Sequence, residues 1–145
     1  MAKFVPVDPF DIVIFGGTGD LSRRKLLPAL WHRWLDGQIP ASSAIISTAR
    51  SDMDDKGYRA MAKEACEKAS GASWNAKEWA KFEKLIHYLP IDATDPGADW
   101  PGLKSKLTED PARPCVFYLA TAPRLYVDIC EALGRAGLSG GNTRV

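Results

Sequence analysis

The chain has 145 residues, 46% hydrophobic and 26% charged, enough for one domain with a substantial core. A formal net charge of +1, with no basic run longer than Arg23-Arg24-Lys25, argues against a dedicated nucleic-acid partner. No apolar stretch is long enough to cross a bilayer and no secretory leader is evident, so no membrane partner is expected and elimination leaves the cytoplasm.

Ile12-Val13-Ile14-Phe15 is an unbroken apolar run, β-branched in its first three positions, and predicts a strand buried on both faces of a parallel sheet. Gly16, Gly17 and Gly19 then force a sharp turn. Leu27, Leu30, Trp31 and Trp34 follow at helical spacing. A strand, a glycine turn and a helix start make a phosphate site, because glycine lets backbone approach the ligand and unpaired amides at the helix start favour an anion. The spacing is Gly16-x-x-Gly19 rather than a full G-x-G-x-x-G, with Ser22 as the small residue that lets helix and strand pack closely. Pro28 removes the helical bond to residue 24, which predicts a kink, or a loop through 22–25 with the regular helix starting near Leu26. Gly37 should end this helix, with Pro40 just beyond.

Ala44-Ile45-Ile46-Ser47-Thr48-Ala49-Arg50 predicts the second strand. Ser51 or Asp52 is expected to cap a helix striped by Tyr58, Met61, Ala62, Ala65, Cys66 and Ala69 and ended by Gly71. Asn75 with Glu78 forms a capping pair for a short helix carrying Trp79 and Phe82. The third strand runs from Leu85 to Ile91, followed by a loop over 92–97 and a modest helix carrying Trp100, Leu103 and Leu107. Pro114 opens a fourth strand, Cys115 to Ala120, and Pro123 suits the first turn of a helix carrying Leu125, Ile129 and Leu133, with Gly137 beyond its end. A turn at Gly140-Gly141-Asn142 leads into Thr143-Arg144-Val145, the expected opening of a fifth strand. Strands alternating with helices imply an α/β fold with a doubly wound parallel sheet, Rossmann-like. Because the chain stops inside an expected strand, it reads as an incomplete domain over 1–145.

In such a sheet the ligand lies outside the carboxyl ends of the strands. NAD would call for Asp or Glu at the end of the second strand, to bond the ribose 2′-hydroxyl. Arg50 and Ser51 stand there instead, and a guanidinium beside a hydroxyl suits a 2′-phosphate, so NADP is the expected cofactor. The plain alternative for Arg50 is a solvated surface charge. Asp52 and Asp54 read as first-turn helix residues, and Asp20 as a helix-start residue. His32 and His87 read as packing or surface histidines rather than bases. Trp31, Trp34, Trp79 and Trp100 belong to the core before they are stacking surfaces. Cys66, Cys115 and Cys130 are odd in number and share no metal-ligand spacing, which predicts buried free thiols and no metal. With no paired carboxylates and no nucleophile elbow, no catalytic residue is assigned.

Gly16-Gly17-Thr18-Gly19-Asp20-Leu21-Ser22-Arg23-Arg24-Lys25 resembles the G-x-x-G-D-L-A-x-x-K of glucose-6-phosphate dehydrogenases. Pro28-Ala29-Leu30-Trp31, Asp36-Gly37-x-x-Pro40 and Ala49-Arg50-Ser51 recur in the same order. Phe117-Tyr118-Leu119-Ala120-Thr121-Ala122-Pro123 resembles that family's F-Y-L-A-L-P-P, with Thr121 and Ala122 in place of Leu and Pro. The resemblance implies oxidation of glucose 6-phosphate to the lactone with hydride transfer to NADP, the first oxidative step of the pentose phosphate pathway. It implies that the amides of Gly16, Gly17, Thr18, Gly19, Asp20, Leu21, Ser22 and Arg23 hold the pyrophosphate and that Arg50 and Ser51 hold the 2′-phosphate. Asp92 and Ala93 would lie near the adenosine, and Ala120, Thr121, Ala122 and Tyr126 along the nicotinamide half. Lys25 would place its charge near cofactor or sugar phosphate. The family's E-K-P lysine and its R-I-D-H-Y-L-G-K-E segment would lie beyond Val145, so this chain is expected to bind cofactor without turning over substrate, and the complete protein to form a homo-oligomer. The alternative from another class is a non-catalytic NADP-sensing regulatory module with the same fold.

Overall fold

In the computed structural model, β1 (Asp11–Phe15) is the spine of the molecule, buried along its whole length as its apolar run demands. Residues 7–95, 97–107, 110 and 112–145 are described; Pro96, placed in a loop by the sequence, lies outside them. Five parallel strands stand in the order β3-β2-β1-β4-β5, built from β2 (Ala44–Ala49), β3 (Ile86–Pro90), β4 (Cys115–Leu119) and β5 (Thr143–Arg144). Both β2 and β4 flank β1, with Val13 opposite Ile46 on one side and Phe117 on the other. This is the expected doubly wound, Rossmann-like sheet.

Alternation along β1 divides the core in two. Ile12 and Ile14 face α1 (Leu27–Leu35), α2 (Asp55–Ser70) and α3 (Ala76–Phe82), whereas Val13 and Phe15 face α4 (Trp100–Lys106) and α5 (Tyr126–Arg135). The first layer is dominated by aromatics. Trp31 is fully buried, with Trp74, Trp79 and Phe82 rings centred 5.3 to 5.5 Å away. Buried indoles need partners for their N–H groups, and three of this layer's find carboxylate or hydroxyl acceptors. Trp31 donates to Ser70 Oγ, Trp34 to Glu78 Oε2 and Trp79 to Glu83 Oε2, at 2.9 to 3.1 Å. Trp31, Trp79 and Trp100 are thus buried in the core, as their spacing predicts, and Trp34 is partly buried against it.

Proline 28 produces neither a loop nor a simple kink. Residues Ser22–Leu26 form a π-helical turn, in which the Leu27 N–H reaches back five residues to the Ser22 carbonyl, and α1 begins regularly at Leu27. The widened turn absorbs the donor that proline lacks, and Pro28 itself sits at the permitted start of α1. Gly37, Gly71 and Gly137 follow α1, α2 and α5 with positive φ, as expected of terminating glycines.

Three expectations need correction. The cap of α2 is Asp54, not Ser51 or Asp52: its backbone is extended and its carboxylate accepts from Gly57 N at 2.7 Å, so α2 begins at Asp55 and neither Asp52 nor Asp54 lies in its first turn. Asn75 caps α3 by accepting from Glu78 N, but the Glu78 carboxylate turns to Trp34 and Lys81 instead of completing a reciprocal box. Of the three thiols only Cys66 is buried, and burial pushes it up to about 12; Cys115 is half-buried and Cys130 exposed.

Candidate functional site: a cleft at the carboxyl ends of the strands

Beyond Phe15 the backbone turns on Gly16, whose φ is +85°. A Cβ there would stand 2.3 Å from the Ala120 carbonyl oxygen, so only glycine lets β1 and β4 end side by side. Gly17 is equally constrained, since a Cβ would meet Ser47 Cβ at 2.6 Å. The amides of both glycines donate to Thr48 O at 2.9 Å, which ties the turn to the end of β2. Gly19 N then donates to Gly16 O and Arg23 N to Gly19 O, while the buried Ser22 hydroxyl donates to Gly16 O at 2.9 Å. Four of the eight amides over 16–23 are therefore spent inside the turn. Among the described residues, those of Thr18, Asp20, Leu21 and Ser22 have no backbone acceptor in the turn, and of these Thr18, Asp20 and Leu21 are open enough to meet an anion at the helix start.

These ends enclose a cleft of about 860 Å³. Gly16, Thr18 and Gly19 form one wall, Arg50 and Ser51 the second, Asp92 and Ala93 the third, and Ala120, Thr121 and Ala122 the fourth. Ten of the residues that the sequence marks out are brought together here from four separate strand ends. The others fall elsewhere. Gly17 and Ser22 are buried beneath the turn, Leu21 and Tyr126 are exposed outside the cleft wall, and Asp20, Arg23 and Lys25 line a separate groove between the π-turn and α2. Ile91, Thr94, Arg124 and Leu125 line the cleft without having been singled out, having no motif of their own.

Charge in the cleft is mixed. Arg50 is exposed and, among the described residues, has no carboxylate within ion-pair distance. Asp92 accepts from the Thr94 hydroxyl at 2.7 Å and the Thr94 amide at 3.0 Å, and these bonds, with Arg50 beyond them, hold its carboxyl below the usual range. The Thr121 methyl group fills the space a Cβ at Gly16 would need, and the buried Thr121 hydroxyl has no hydrogen-bond partner among the described residues. Such a cleft offers amides and a guanidinium for phosphate groups and a carboxylate for a hydroxyl. Neither histidine reaches it. His32 is exposed on α1, and His87 Nδ1 lies 3.5 Å from Asp55 Oδ2 on β3, at the edge of the sheet.

Residues 13–145 match the family model described as "Glucose-6-phosphate dehydrogenase, NAD binding domain". A glucose-6-phosphate 1-dehydrogenase from Gluconobacter oxydans is 43% identical over the whole of this chain, which spans 30% of that protein. The crystal structure of glucose-6-phosphate 1-dehydrogenase from Mycobacterium avium superposes on 95% of this chain with a TM-score of 0.82 and 29% identity, using 29% of its own length. A glucose-6-phosphate dehydrogenase solved in complex with glucose-6-phosphate gives a TM-score of 0.80 at 25% identity, covering 99% of this chain and 30% of its own.

Proposed function

This chain belongs to the glucose-6-phosphate dehydrogenase family, and from that premise we propose that it is the coenzyme-binding portion of an NADP-dependent enzyme oxidising glucose 6-phosphate to the lactone. The observation that carries the choice of NADP is Arg50, exposed and, among the described residues, with no carboxylate within ion-pair distance at the end of β2, where an acidic residue would serve NAD. The Thr18 amide, the unpaired amide of the turn that stands on the cleft wall, would take the diphosphate, and the Arg50 guanidinium with the Ser51 hydroxyl the 2′-phosphate. Asp92 and Ala93 would lie against the adenosine, and Ala120, Thr121 and Ala122 would bound the nicotinamide half. When bound, the coenzyme supplies the hydride acceptor. Lys25, in its groove beside the turn, would place a positive charge toward a sugar phosphate.

Oxidising a sugar hydroxyl also needs a proton acceptor, and neither His32 nor His87 is placed to serve. The base is assigned to the part of the protein that the relatives possess and these residues do not cover. The pentose phosphate pathway, the cytoplasm and a homo-oligomer of the complete enzyme are part of the same reading.

Titration with NADP and NAD, followed by calorimetry, tests it. The chain should prefer NADP, and Arg50→Ala should lower NADP affinity by about 1.5–3 kcal/mol, roughly ten- to hundredfold, with NAD affinity held within about twofold. A preference unmoved by Arg50→Ala would defeat the assignment of the guanidinium.

A further inference from the structure

Two buried tyrosines sit behind the cleft, neither assigned a part in it so far. Tyr58 of α2 and Tyr88 of β3 stack at 5.0 Å between ring centres, inclined by only 18°. Both are essentially closed to solvent, at 0% and 3% exposure. Their hydroxyls diverge to different walls of the cleft. Tyr58 donates to the Gly17 carbonyl at 2.9 Å, on the far side of the glycine turn. Tyr88 points its hydroxyl at the Ser51 carbonyl, 2.6 Å away, and the Ala49 carbonyl, 3.2 Å away. Those two carbonyls bracket Arg50.

We propose that Tyr88 is a positioning residue for nucleotide discrimination, holding the backbone on both sides of Arg50 so that its guanidinium meets the 2′-phosphate. The inference rests on the NADP reading above and adds the device that makes Arg50 selective. Arginine gains its advantage over a mobile cation from a fixed, planar fork, and that advantage is lost if its own backbone drifts. Ile91 N–H still donates to the Ala49 carbonyl at 2.9 Å, but Arg50 lies just past the end of β2 and beyond that last bond. The Tyr88 hydroxyl is the tether that takes over. Tyr58 performs the corresponding service for the glycine turn, whose diphosphate contacts are common to both nucleotides. The pair therefore divides the labour, Tyr58 serving affinity for any dinucleotide and Tyr88 serving choice between them.

Tyr88→Phe keeps the ring and its stacking while deleting both tethers. Titrated against NADP and NAD as full chains, this variant should lose about fivefold in NADP affinity, the scale of one hydrogen bond. Its NAD affinity should stay within about twofold. Tyr58→Phe should weaken both nucleotides by the same factor. The ratio of the two dissociation constants is the decisive readout: loosened packing lowers both affinities together and leaves the ratio where it was, even in a partly unfolded preparation. A Tyr88→Phe ratio equal to wild type overturns the proposal. Arg50→Ala, run in parallel, separates the causes of failure. If it abolishes selectivity while Tyr88→Phe does not, the tether alone is wrong; if neither changes it, the NADP reading falls and takes the tether with it.

Discussion

Two arginines at opposite ends of one sheet stand in opposite environments, one spent on folding and one left exposed over the cleft. At the amino ends of the strands Arg113, 12% exposed, donates to the Asp11 carboxylate from Nε at 3.1 Å and from Nη2 at 2.9 Å. It donates to the carbonyls of Phe10 and Ser42 as well. At the carboxyl ends Arg50 stands exposed over the cleft with no carboxylate partner of its own among the described residues. The same side chain is consumed by the fold in one place and left open over the cleft in the other. Buried charge must be paired to be tolerated, whereas a charge left in water costs little and remains available.

The largest expected effect breaks the amino end. Asp11→Ala strands the Arg113 guanidinium without its carboxylate in a buried position, and about 3–5 kcal/mol of stability should be lost. A denaturant titration reads this directly. Nucleotide affinity of the folded fraction should stay within about twofold, because the pair lies a full strand length from the cleft. A variant that lost NADP binding in step with stability would show that the two ends are not independent.

A paired glycine test sharpens the comparison from the other side. Gly16→Ala places a methyl group 2.3 Å from the Ala120 carbonyl in a left-handed backbone, so the turn must move. The strain should cost about 1–3 kcal/mol, and dinucleotide affinity should fall at least about tenfold because the proposed diphosphate site is the turn itself. Gly37→Ala meets the same backbone penalty at φ +73°, with open space around the new methyl group. It should cost about 1 kcal/mol and leave binding untouched. Equal binding losses in both variants would count against a cleft built on Gly16.

The fold was largely legible beforehand, because each layer is written locally. The β-branched run of β1, the stripe on α2 and the terminal glycines are neighbourhood patterns, and each element formed where its pattern stood. The cleft was legible as far as strand ends are legible: Gly16, Arg50, Asp92 and Ala120 converge because a parallel sheet puts the ends of its strands together. What escaped is carried by single atoms far apart in the chain. Arg113 and Asp11 are 102 residues apart, and no period or spacing joins them. The Thr48 carbonyl that occupies two of the turn's amides, and the tyrosine hydroxyls behind the cleft, are equally silent in one dimension. The cap of α2 slipped because four acidic or hydroxyl candidates crowd 51–55, and only backbone conformation selects Asp54 among them.

The smallest expected effect lies at the carboxyl end and depends on pH. Asp55, at the start of α2, is pushed up by burial, but the Tyr88 N–H at 2.7 Å and the neighbouring His87 more than offset this and leave its carboxyl below the ordinary 3.8. A carboxylate with a lowered folded value contributes stability that is present above its unfolded value and lost as pH falls through the folded one. Wild type should therefore lose an increment of stability below about pH 4 that Asp55→Asn does not, since the amide still accepts from Tyr88 N–H but carries no charge to protonate. The increment should be small, because the Asp55 side chain is 38% exposed and water screens it. Urea midpoints measured at pH 6, 4 and 3 for both proteins give the comparison, and parallel lines would remove Asp55 from the acid response. The bond in question ends on the backbone of Tyr88, whose hydroxyl brackets Arg50. Protonating Asp55 thus weakens a contact at the carboxyl end of the sheet.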